Sequence, residues 1–248
     1  LRTATNHGFE QLLVPQFYGP IEMLHERTLV PFYFRQMDHI LSVSNTSKQF
    51  LIDYCKVDPE RITVAYNAVN DAYRLLPENE RRLPEGLQLG PGQRYIFHIS
   101  RFSGRKNPWT LLRGFAEFAK RPAAQDVKLV IAGGRWDNEQ VHKELARLEI
   151  EDKVVLAGFV EEEEAVQLFN SATVFVFPSL AEGFGMPNIE AMACGCPVIT
   201  TPIFAIPEVV GDAAIIVKDP KDHSELADTF ERVVSNEDLQ KDLKERGL

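Results

Sequence analysis

The chain has 248 residues, of which 44% are hydrophobic, so it can bury a substantial core in one or two domains. Its formal net charge of −9 argues against broad nucleic-acid binding, which needs a basic face, and no apolar run approaches the ~20 residues that span a bilayer. Three cysteines form no disulfide framework and suit a reducing compartment, so we expect a cytoplasmic protein. We predict no metal site, because the six histidines are scattered and no second cluster completes the pair Cys194 and Cys196.

The first 67 residues predict only a small amount of α/β structure. Their apolar periodicity indicates a helix followed by one βαβ unit. These elements are a helix near 20–38, the strand ILSVS (40–44), a helix at 46–56 and the strand RITVAYN (61–67). A single βαβ unit with one helix buries too little apolar surface to form a stable core of its own.

From residue 95 onward, short apolar strands alternate regularly with amphipathic helices. The predicted strands are YIFHIS (95–100), KLVIAGG (128–134), KVVLAGFV (153–160), TVFVFPS (173–179), PVITT (197–201) and AAIIVKD (213–219). The predicted helices are 107–121, 138–149, 161–172, 187–194, 221–235 and 237–246. Apolar strands separated by amphipathic helices indicate a parallel sheet covered on both faces. We therefore predict an α/β, doubly wound, Rossmann-like domain whose ligands lie beyond the carboxyl ends of its strands.

These patterns predict a division into two domains. The stretch 68–94 is rich in Pro, Gly and charge, which is typical of a linker. Because the chain also begins at Leu1 rather than methionine, we expect a fragment. In this interpretation residues 1–67 are the remnant of an N-terminal α/β domain, and residues 95–248 are a second domain that lacks its final helix.

One motif follows the strand at 173–179. In EGFGMPNIEAMACG, Pro187 fits the first turn of a helix that runs to about Cys194, because its missing N–H costs nothing there. Glu182 then lies in the preceding loop, and Glu190 lies in the first helical turn. The glycine-containing loop between them offers free N–H groups and a positive helix end to an anionic or polar ligand. The alternative interpretation is that both acids complement the helix dipole.

A second motif, HISRFSGRKNPW, follows the first strand of the same domain. Arg101, Arg105 and Lys106 crowd a glycine-containing loop that leads into a helix. In an acidic protein, a basic loop at the carboxyl end of a strand indicates phosphate capture, since arginine offers a planar fork and lysine a compact charge. The alternative is a solvated basic turn. The loop is neither a Walker A motif nor a dinucleotide fingerprint.

The whole of 95–248 resembles the C-terminal, donor-binding domain of GT-B glycosyltransferases of the retaining family 4 type. The matching segments are HISRFSGRKNPWTLLRGF, LVIAGG, VVLAGFV, VFVFPSLAEGFGMPNIEAMACGCPVITT and IPEVVGDAAIIV. The most specific of them contains the E-x7-E element from Glu182 to Glu190. The resemblance also covers 38–70, where the family's N-terminal domain ends with a strand, a helix and a strand before an N-G-V type turn. Here that turn is YNAVN, with Ala68 in place of the usual glycine.

The resemblance implies a donor site for a nucleoside-diphosphate sugar. Arg101 and Lys106 would hold the diphosphate and stabilise the charge of the departing nucleotide, which is the work of a metal ion in other transferases. Glu190 would accept hydrogen bonds from the ribose diol, and Glu182 would face the sugar hydroxyls. The other donor-binding residues would be Gly183, Phe184, Gly185, Met186 and Pro187 around the sugar and phosphate, and Gly133, Gly158, Phe159 and Val160 near the base.

The resemblance also implies a reaction and its participants. A sugar would move from a UDP-, GDP- or ADP-sugar to a hydroxyl of a glycan, a lipid-linked sugar or a small molecule, with retention of anomeric configuration. No metal or other cofactor would be required, which agrees with the absence of a D-x-D pair from the sequence. Front-side transfer and double displacement both stay open. A sugar-nucleotide epimerase, a phosphorylase and a binding module without turnover are alternative functions.

The N-terminal segment gives two further expectations. His7, in NHGFE, resembles the family histidine that faces the donor sugar and would be catalytic, although a plain loop histidine fits equally well. The aromatic-rich stretch 17–34 indicates a packed helix, or else a patch that contacts an acceptor or the inner face of a membrane. Since most of the first domain would be missing, we expect this chain to transfer sugar very weakly and still to bind nucleoside diphosphate.

Overall fold

The computed structural model describes residues 1–84, 86–87, 89–90 and 92–248. Within the N-terminal part of this described chain, three parallel strands form a sheet in the order β1-β2-β3. The strands are β1 (Thr3–Asn6), β2 (His39–Ser42) and β3 (Ile62–Val64). The helices are α1 (Glu10–Leu13), α2 (Pro20–Arg35) and α3 (Asn45–Asp53).

This sheet contains more than the single βαβ unit predicted from the sequence. The predicted unit is confirmed as β2, α3 and β3, and the helix before it as α2. The additional strand, β1, pairs in register with β2 from Thr3 opposite His39 to Asn6 opposite Ser42. Its sequence, TATN, is short and mostly polar, so its strand conformation is set by pairing rather than by hydrophobic alternation.

Six parallel strands of the described C-terminal part form the main sheet, in the order β6-β5-β4-β7-β8-β9. The strands are β4 (Arg94–Ile99), β5 (Val127–Ala132), β6 (Val154–Gly158), β7 (Val174–Phe177), β8 (Val198–Thr200) and β9 (Ala214–Ile216). This is the doubly wound order of a Rossmann-like domain, with its topological switch between β4 and β7. The predicted fold class is therefore confirmed.

Helices cover both faces of this sheet, and six of them match the predicted helices. The helices are α4 (Pro108–Phe118), α5 (Glu139–Leu148), α6 (Glu162–Ser171), α7 (Met186–Ala193), α8 (Ile206–Val210), α9 (His223–Val234) and α10 (Glu237–Gly247). The short α8 was not predicted, since five residues are too few for a helical period to be recognised. None of the described helices has both the length and the apolar character needed to cross a membrane.

The inner strands of the main sheet are buried on both faces, because successive side chains point to opposite sides and helices cover each side. In β4, Ile96 packs into the core cluster that contains Phe115 of α4 and Phe230 of α9. Its neighbour Phe97 packs into the opposite cluster with Phe169 of α6. Continuous apolar strands therefore build two cores, one on each side of the sheet.

The described residues of the segment 68–94 lie against the C-terminal part. Leu76 is buried in the core cluster that contains α6, and its backbone N–H donates to the side-chain oxygen of Asn170 at 2.7 Å. The backbone N–H of Arg82 donates to the side chain of Gln167 at 2.6 Å. This segment thus packs along α6 rather than standing away from the domain.

Candidate active site

The two sequence motifs meet at the topological switch of the main sheet. The basic motif follows β4 and the glutamate motif follows β7, and these strands are hydrogen-bonded neighbours. A backbone hydrogen bond of 2.8 Å from the N–H of Leu180 to the carbonyl oxygen of Arg105 joins the two loops. The crevice at such a switch is where doubly wound sheets bind ligands.

Glu182 and Lys106 form a buried ion pair in this crevice. The Lys106 ammonium contacts Oε1 of Glu182, and Arg105 Nη1 lies 3.3 Å from the same oxygen. The ammonium also lies 4.6 Å from the centroid of the Phe177 ring, at the end of β7. Burial lowers the pKa of Lys106, and the nearby Glu182 carboxylate opposes that effect. The result is a cluster of two cations and one carboxylate, in which Lys106 and Glu182 are buried and Arg105 is half-buried.

The conformation of the basic loop is fixed by its last residue. Asn107 adopts a left-handed backbone conformation with φ of 58°, and its side-chain amide donates to the carbonyl oxygen of Pro178 at 3.0 Å. Asparagine tolerates this conformation better than most residues. Pro108 then begins α4, where its missing N–H is not needed. The loop that carries Arg105 and Lys106 is therefore fastened to the end of β7.

The loop after Glu182 presents free backbone amides to the crevice. Gly185 has a left-handed φ of 85°, and α7 begins at the next residue, with Pro187 in its first turn as predicted. Within the described chain, the N–H groups of Phe184 and Gly185 donate no hydrogen bond. Amides of this kind at a helix start are suited to an anionic ligand.

Glu190 lies deeper in α7 than the sequence interpretation placed it. Because α7 begins at Met186, Glu190 is its fifth residue and lies beyond the first turn. Complementing the helix dipole is therefore not a sufficient account of this residue, since that effect is confined to the first turn. Burial raises the pKa of Glu190 to about 7, and the Glu162 carboxylate adds to the effect. A carboxyl group perturbed in this way is typical of a functional site.

Two further predicted glycines lie where β5 and β6 end. Gly133 has φ of 112° and its N–H donates to the carbonyl oxygen of Gly158 at 2.6 Å. A Cβ atom on Gly133 would collide with the carbonyl oxygen of Ser100, so close packing beside β4 accounts for this glycine. Next to Gly158, the Phe159 side chain is 74% exposed and Val160 is half-buried. The placement of a base near these residues stays a prediction.

Arg101 and His7 are exposed. Among the described residues, the Arg101 guanidinium has no hydrogen bond or ion pair, so the structure brings Arg105 rather than Arg101 onto Glu182. The backbone of His7 packs against Gly183, where an added Cβ atom would collide with the His7 carbonyl oxygen. The N-terminal and C-terminal parts thus approach each other at the loop between β7 and α7. The catalytic roles of Arg101 and His7 stay predictions.

Several residues of the N-terminal part also border the crevice and were not predicted as site residues. A Cβ atom on Gly104 would collide with the ring of Phe17, so this ring covers the basic loop. A Cβ atom on Gly183 would lie 3.2 Å from Oε1 of Glu10. Burial raises the pKa of the neighbouring Tyr18, and the charge of Arg105 opposes it. The aromatic pair in QFYG was visible in the sequence, but no local pattern indicates which loop it faces.

Two family models match the chain. The model described as "Glycosyl transferases group 1" matches residues 79–248, and the model described as "Glycosyltransferase Family 4" matches residues 2–73.

Similar proteins include two bacterial mannosyltransferases. O-antigen chain mannosyltransferase B of Escherichia coli is 32% identical over 187 residues, which are 74% of this chain and 48% of that protein. O-antigen chain mannosyltransferase RfbU of Salmonella typhimurium is 29% identical over 217 residues, which are 87% of this chain and 56% of that protein. The chain thus spans about half the length of these relatives.

Solved structures with the same fold include two that align with nearly the whole of this chain. Anabaena Alr3699/HepE, in complex with UDP and glucose, superimposes with a TM-score of 0.82 at 22% identity, covering 99% of this chain and 65% of that chain. WaaG, a glycosyltransferase involved in lipopolysaccharide biosynthesis, superimposes with a TM-score of 0.80 at 15% identity, covering 100% of this chain and 69% of that chain. The architecture is that of a partial GT-B fold, and by sequence the chain belongs to the glycosyl transferases group 1 family.

Proposed function

We propose that this chain forms the donor site of a retaining, metal-independent glycosyltransferase that uses a nucleoside-diphosphate sugar. The observation that carries the proposal is the buried ion pair of Lys106 and Glu182, with the half-buried Arg105 on the same carboxylate, near the free amides of Phe184 and Gly185. A cluster of this composition at a topological switch is suited to a ligand with both anionic and hydroxyl groups.

Electrostatic stabilisation of the leaving group is the chemistry these residues supply. As the bond between the sugar and the diphosphate breaks, negative charge develops on the departing phosphate oxygens. Lys106 and Arg101 would bind these oxygens, and the amides at the start of α7 would donate to them. Lys106 is buried and held by Glu182, so it can stabilise such charge with little reorganisation. No step then requires a general base supplied by Glu182 or Glu190.

The two glutamates would bind different parts of the donor. Glu182 would accept hydrogen bonds from sugar hydroxyls. The Lys106 ammonium would contact both this carboxylate and a phosphate oxygen of the donor. Glu190 would accept hydrogen bonds from the ribose diol, for which it has to be ionised. Gly133, Gly158, Phe159 and Val160 would lie along the base.

The comparisons support a hexose donor and a glycan acceptor. HepE binds UDP and glucose, and the two relatives act as O-antigen chain mannosyltransferases, as their names state. For this chain we propose a hexosyl donor with UDP, GDP or ADP as the leaving group, and an acceptor hydroxyl on a growing glycan. Retention would follow from front-side transfer, in which the leaving phosphate helps to deprotonate the acceptor.

We place the reaction in the cytoplasm, with peripheral contact to a membrane. The cytoplasmic location rests on Cys55, Cys194 and Cys196, which are all free. The membrane contact rests on one exposed face of α2, where Ile21 and Phe32 are 85% and 50% exposed. Co-sedimentation with anionic vesicles tests this contact, and it should be lost in the variant Ile21→Glu.

A ligand panel tests the donor assignment. Thermal unfolding is followed with UDP, GDP and ADP and with their hexose derivatives, because a ligand of the folded state raises stability by about 2.7 kcal/mol at a concentration of 100 Kd. One base should stabilise the chain more than the others. Product analysis on the full-length enzyme then separates the activities. A glycoside indicates transfer, and an epimer or a sugar phosphate indicates an epimerase or a phosphorylase. Binding of the nucleotide sugar without transfer or hydrolysis by the full-length protein indicates a binding module.

A further inference from the structure

Glu208 joins the two parts of the chain through the start of α3. This carboxylate lies in the first turn of α8, in the C-terminal part, and accepts five hydrogen bonds from described residues of the N-terminal part. Oε1 accepts from the backbone N–H of Asn45 at 2.7 Å, from its side-chain amide at 3.0 Å and from the Tyr66 hydroxyl at 2.7 Å. Oε2 accepts from the backbone N–H of Thr46 at 2.8 Å and from its hydroxyl at 2.7 Å.

The carboxylate therefore completes the N-terminal cap of α3 from another domain. The first N–H groups of a helix have no partner within the helix. Ser44 satisfies one of them, since its hydroxyl oxygen accepts from the N–H of Ser47 at 2.9 Å. Glu208 satisfies the two before it, those of Asn45 and Thr46. No local sequence signal connects Glu208 with Asn45, because 163 positions separate them along the chain.

A second contact lies beside the first and is apolar. Phe204, four residues before Glu208, packs against the hydrophobic cluster of the N-terminal part. Its ring meets that of Phe50, on α3, edge to face with centroids 6.1 Å apart. Phe204 has φ of 50°, a left-handed conformation that costs a non-glycine residue of the order of 1 kcal/mol. Packing across the junction holds the residue in this conformation.

Tyr66 extends the junction to the donor loop. Its hydroxyl donates to Glu208, and its ring lies 6.4 Å, centroid to centroid, from the ring of Phe184. Phe184 belongs to the loop whose amides we assign to the donor, so this step rests on the proposed function. We propose that Glu208 is a positioning residue that fixes the N-terminal part against the donor loop, acting through Tyr66 and the start of α3.

The junction is constitutive rather than pH-dependent in the physiological range. Burial by itself would raise the pKa of Glu208. The hydrogen bonds from Tyr66, from Thr46 and from the backbone N–H of Asn45 outweigh this effect and lower the pKa to about 2. The carboxylate therefore stays ionised, and its hydrogen bonds are made at any pH at which the protein is folded and active.

Amide hydrogen exchange on the intact chain tests the junction without requiring activity. We expect the N–H groups of Asn45 and Thr46 to be protected, although a helix normally leaves these positions unprotected. The variant Glu208→Gln places an amide donor against N–H groups, so their exchange should accelerate at least tenfold while amides of β4 and β5 keep their protection. The matched control Glu163→Gln, on the exposed surface of α6, should change neither the exchange of the Asn45 and Thr46 amides nor the protection of β4 and β5. Unprotected Asn45 and Thr46 amides in the wild type would overturn the inference.

Nucleotide affinity tests whether the junction positions the donor loop. Glu208→Gln should weaken binding of the preferred nucleoside-diphosphate sugar about threefold to tenfold, and Glu208→Asp should weaken it less. Tyr66→Phe keeps the aromatic ring beside Phe184 but removes the hydroxyl that donates to Glu208. Combined with Glu208→Gln, it should therefore weaken nucleotide binding no further than Glu208→Gln alone. Tyr33→Phe is the control for Tyr66→Phe. Accelerated exchange with unchanged affinity would refute the positioning role. Absence of binding by the wild type, with the exchange effect present, would instead refute the proposed function.

Discussion

The ammonium group of Lys106 and the carboxylate of Glu182 form a buried ion pair where the main sheet reverses its strand order. Removing two charges from water costs more than their attraction usually returns, so such a pair is a poor device for stability alone. The position of this ion pair in the crevice between β4 and β7 indicates a role in ligand binding rather than in stability. Under the proposed function, the pair would hold one cation and one hydrogen-bond acceptor for a ligand that carries both phosphate and hydroxyl groups.

Replacing Lys106 by methionine should destabilise the protein. Glu182 would stay buried with Arg105 as its remaining partner, and removing one member of a buried pair typically costs about 3 kcal/mol or more. We therefore expect the free energy of unfolding at neutral pH, measured by urea denaturation, to fall by about that amount.

The double variant K106M/E182M separates charge from packing. Two apolar side chains can replace a buried ion pair at little cost, so the double variant should recover most of the stability lost in K106M. If it is as unstable as K106M, lost packing and not the unpaired carboxylate is the cause. Neither variant should bind nucleoside diphosphate.

Arg101 and Arg105 should respond differently to replacement by alanine. The exposed Arg101 side chain has no partner in the described chain, so Arg101→Ala should change the free energy of unfolding by less than about 0.5 kcal/mol and still impair function. Arg105 donates to the carbonyl oxygen of Ala181 at 3.1 Å and contacts Glu182, so Arg105→Ala should lower stability measurably. In an active enzyme, Arg101→Ala should lower kcat more than donor affinity, and a loss confined to KM would contradict its assigned role.

Gly183→Ala should disrupt the contact between the two parts of the chain. The added Cβ atom would collide with the backbone carbonyl of His7, and backbone atoms cannot move aside as a flexible side chain does. We expect a loss of about 2 kcal/mol or more in unfolding measurements. Gly90→Ala is the matched control, because a Cβ atom there meets nothing within 4 Å in the part of the chain that the structure describes. Equal stability of the two variants would mean that His7 does not lie on the donor loop.

The pH dependence of stability should report Glu190. Its pKa is about 7 in the folded chain against an ordinary value of 4.5. Between these values the folded state keeps a proton that the unfolded state has released, so this residue makes the free energy of unfolding fall as pH rises. Glu190→Gln should remove that contribution. A difference between wild type and variant that is independent of pH from about 4.5 to about 7 would contradict the raised pKa.

The same residue should make nucleotide affinity depend on pH in the opposite direction. If only the ionised carboxylate binds the ribose diol, wild-type affinity should rise about tenfold from pH 6 to pH 8, as the ionised fraction rises. Glu190→Gln, titrated calorimetrically under the same conditions, corrects for ionisation of the phosphate itself. Parallel pH profiles for the two proteins would exclude Glu190 from the ribose contact.

The sequence predicted the C-terminal domain well, because its parallel strands are mostly apolar and most of its helices have a clear apolar face. It also predicted that the loops of Lys106 and Glu182 follow the carboxyl ends of strands, as they do in the structure, and their role as site loops stays a prediction. The resemblance led us to assign the two side chains to phosphate and sugar, and their direct contact was not anticipated. Long-range contacts carry no local signal, which is why the cap that Glu208 supplies to α3 was missed. The strand β1 was missed for the same reason, because its conformation depends on β2.

Isothermal titration calorimetry of the chain with UDP, GDP and ADP tests the central claim most directly. We predict one-to-one binding of at least one of them with Kd at or below about 1 mM, equivalent to about −4.1 kcal/mol, and loss of that binding in K106M/E182M. Absence of binding heat for all three nucleotides at millimolar concentration would contradict the assignment of this crevice as a donor site.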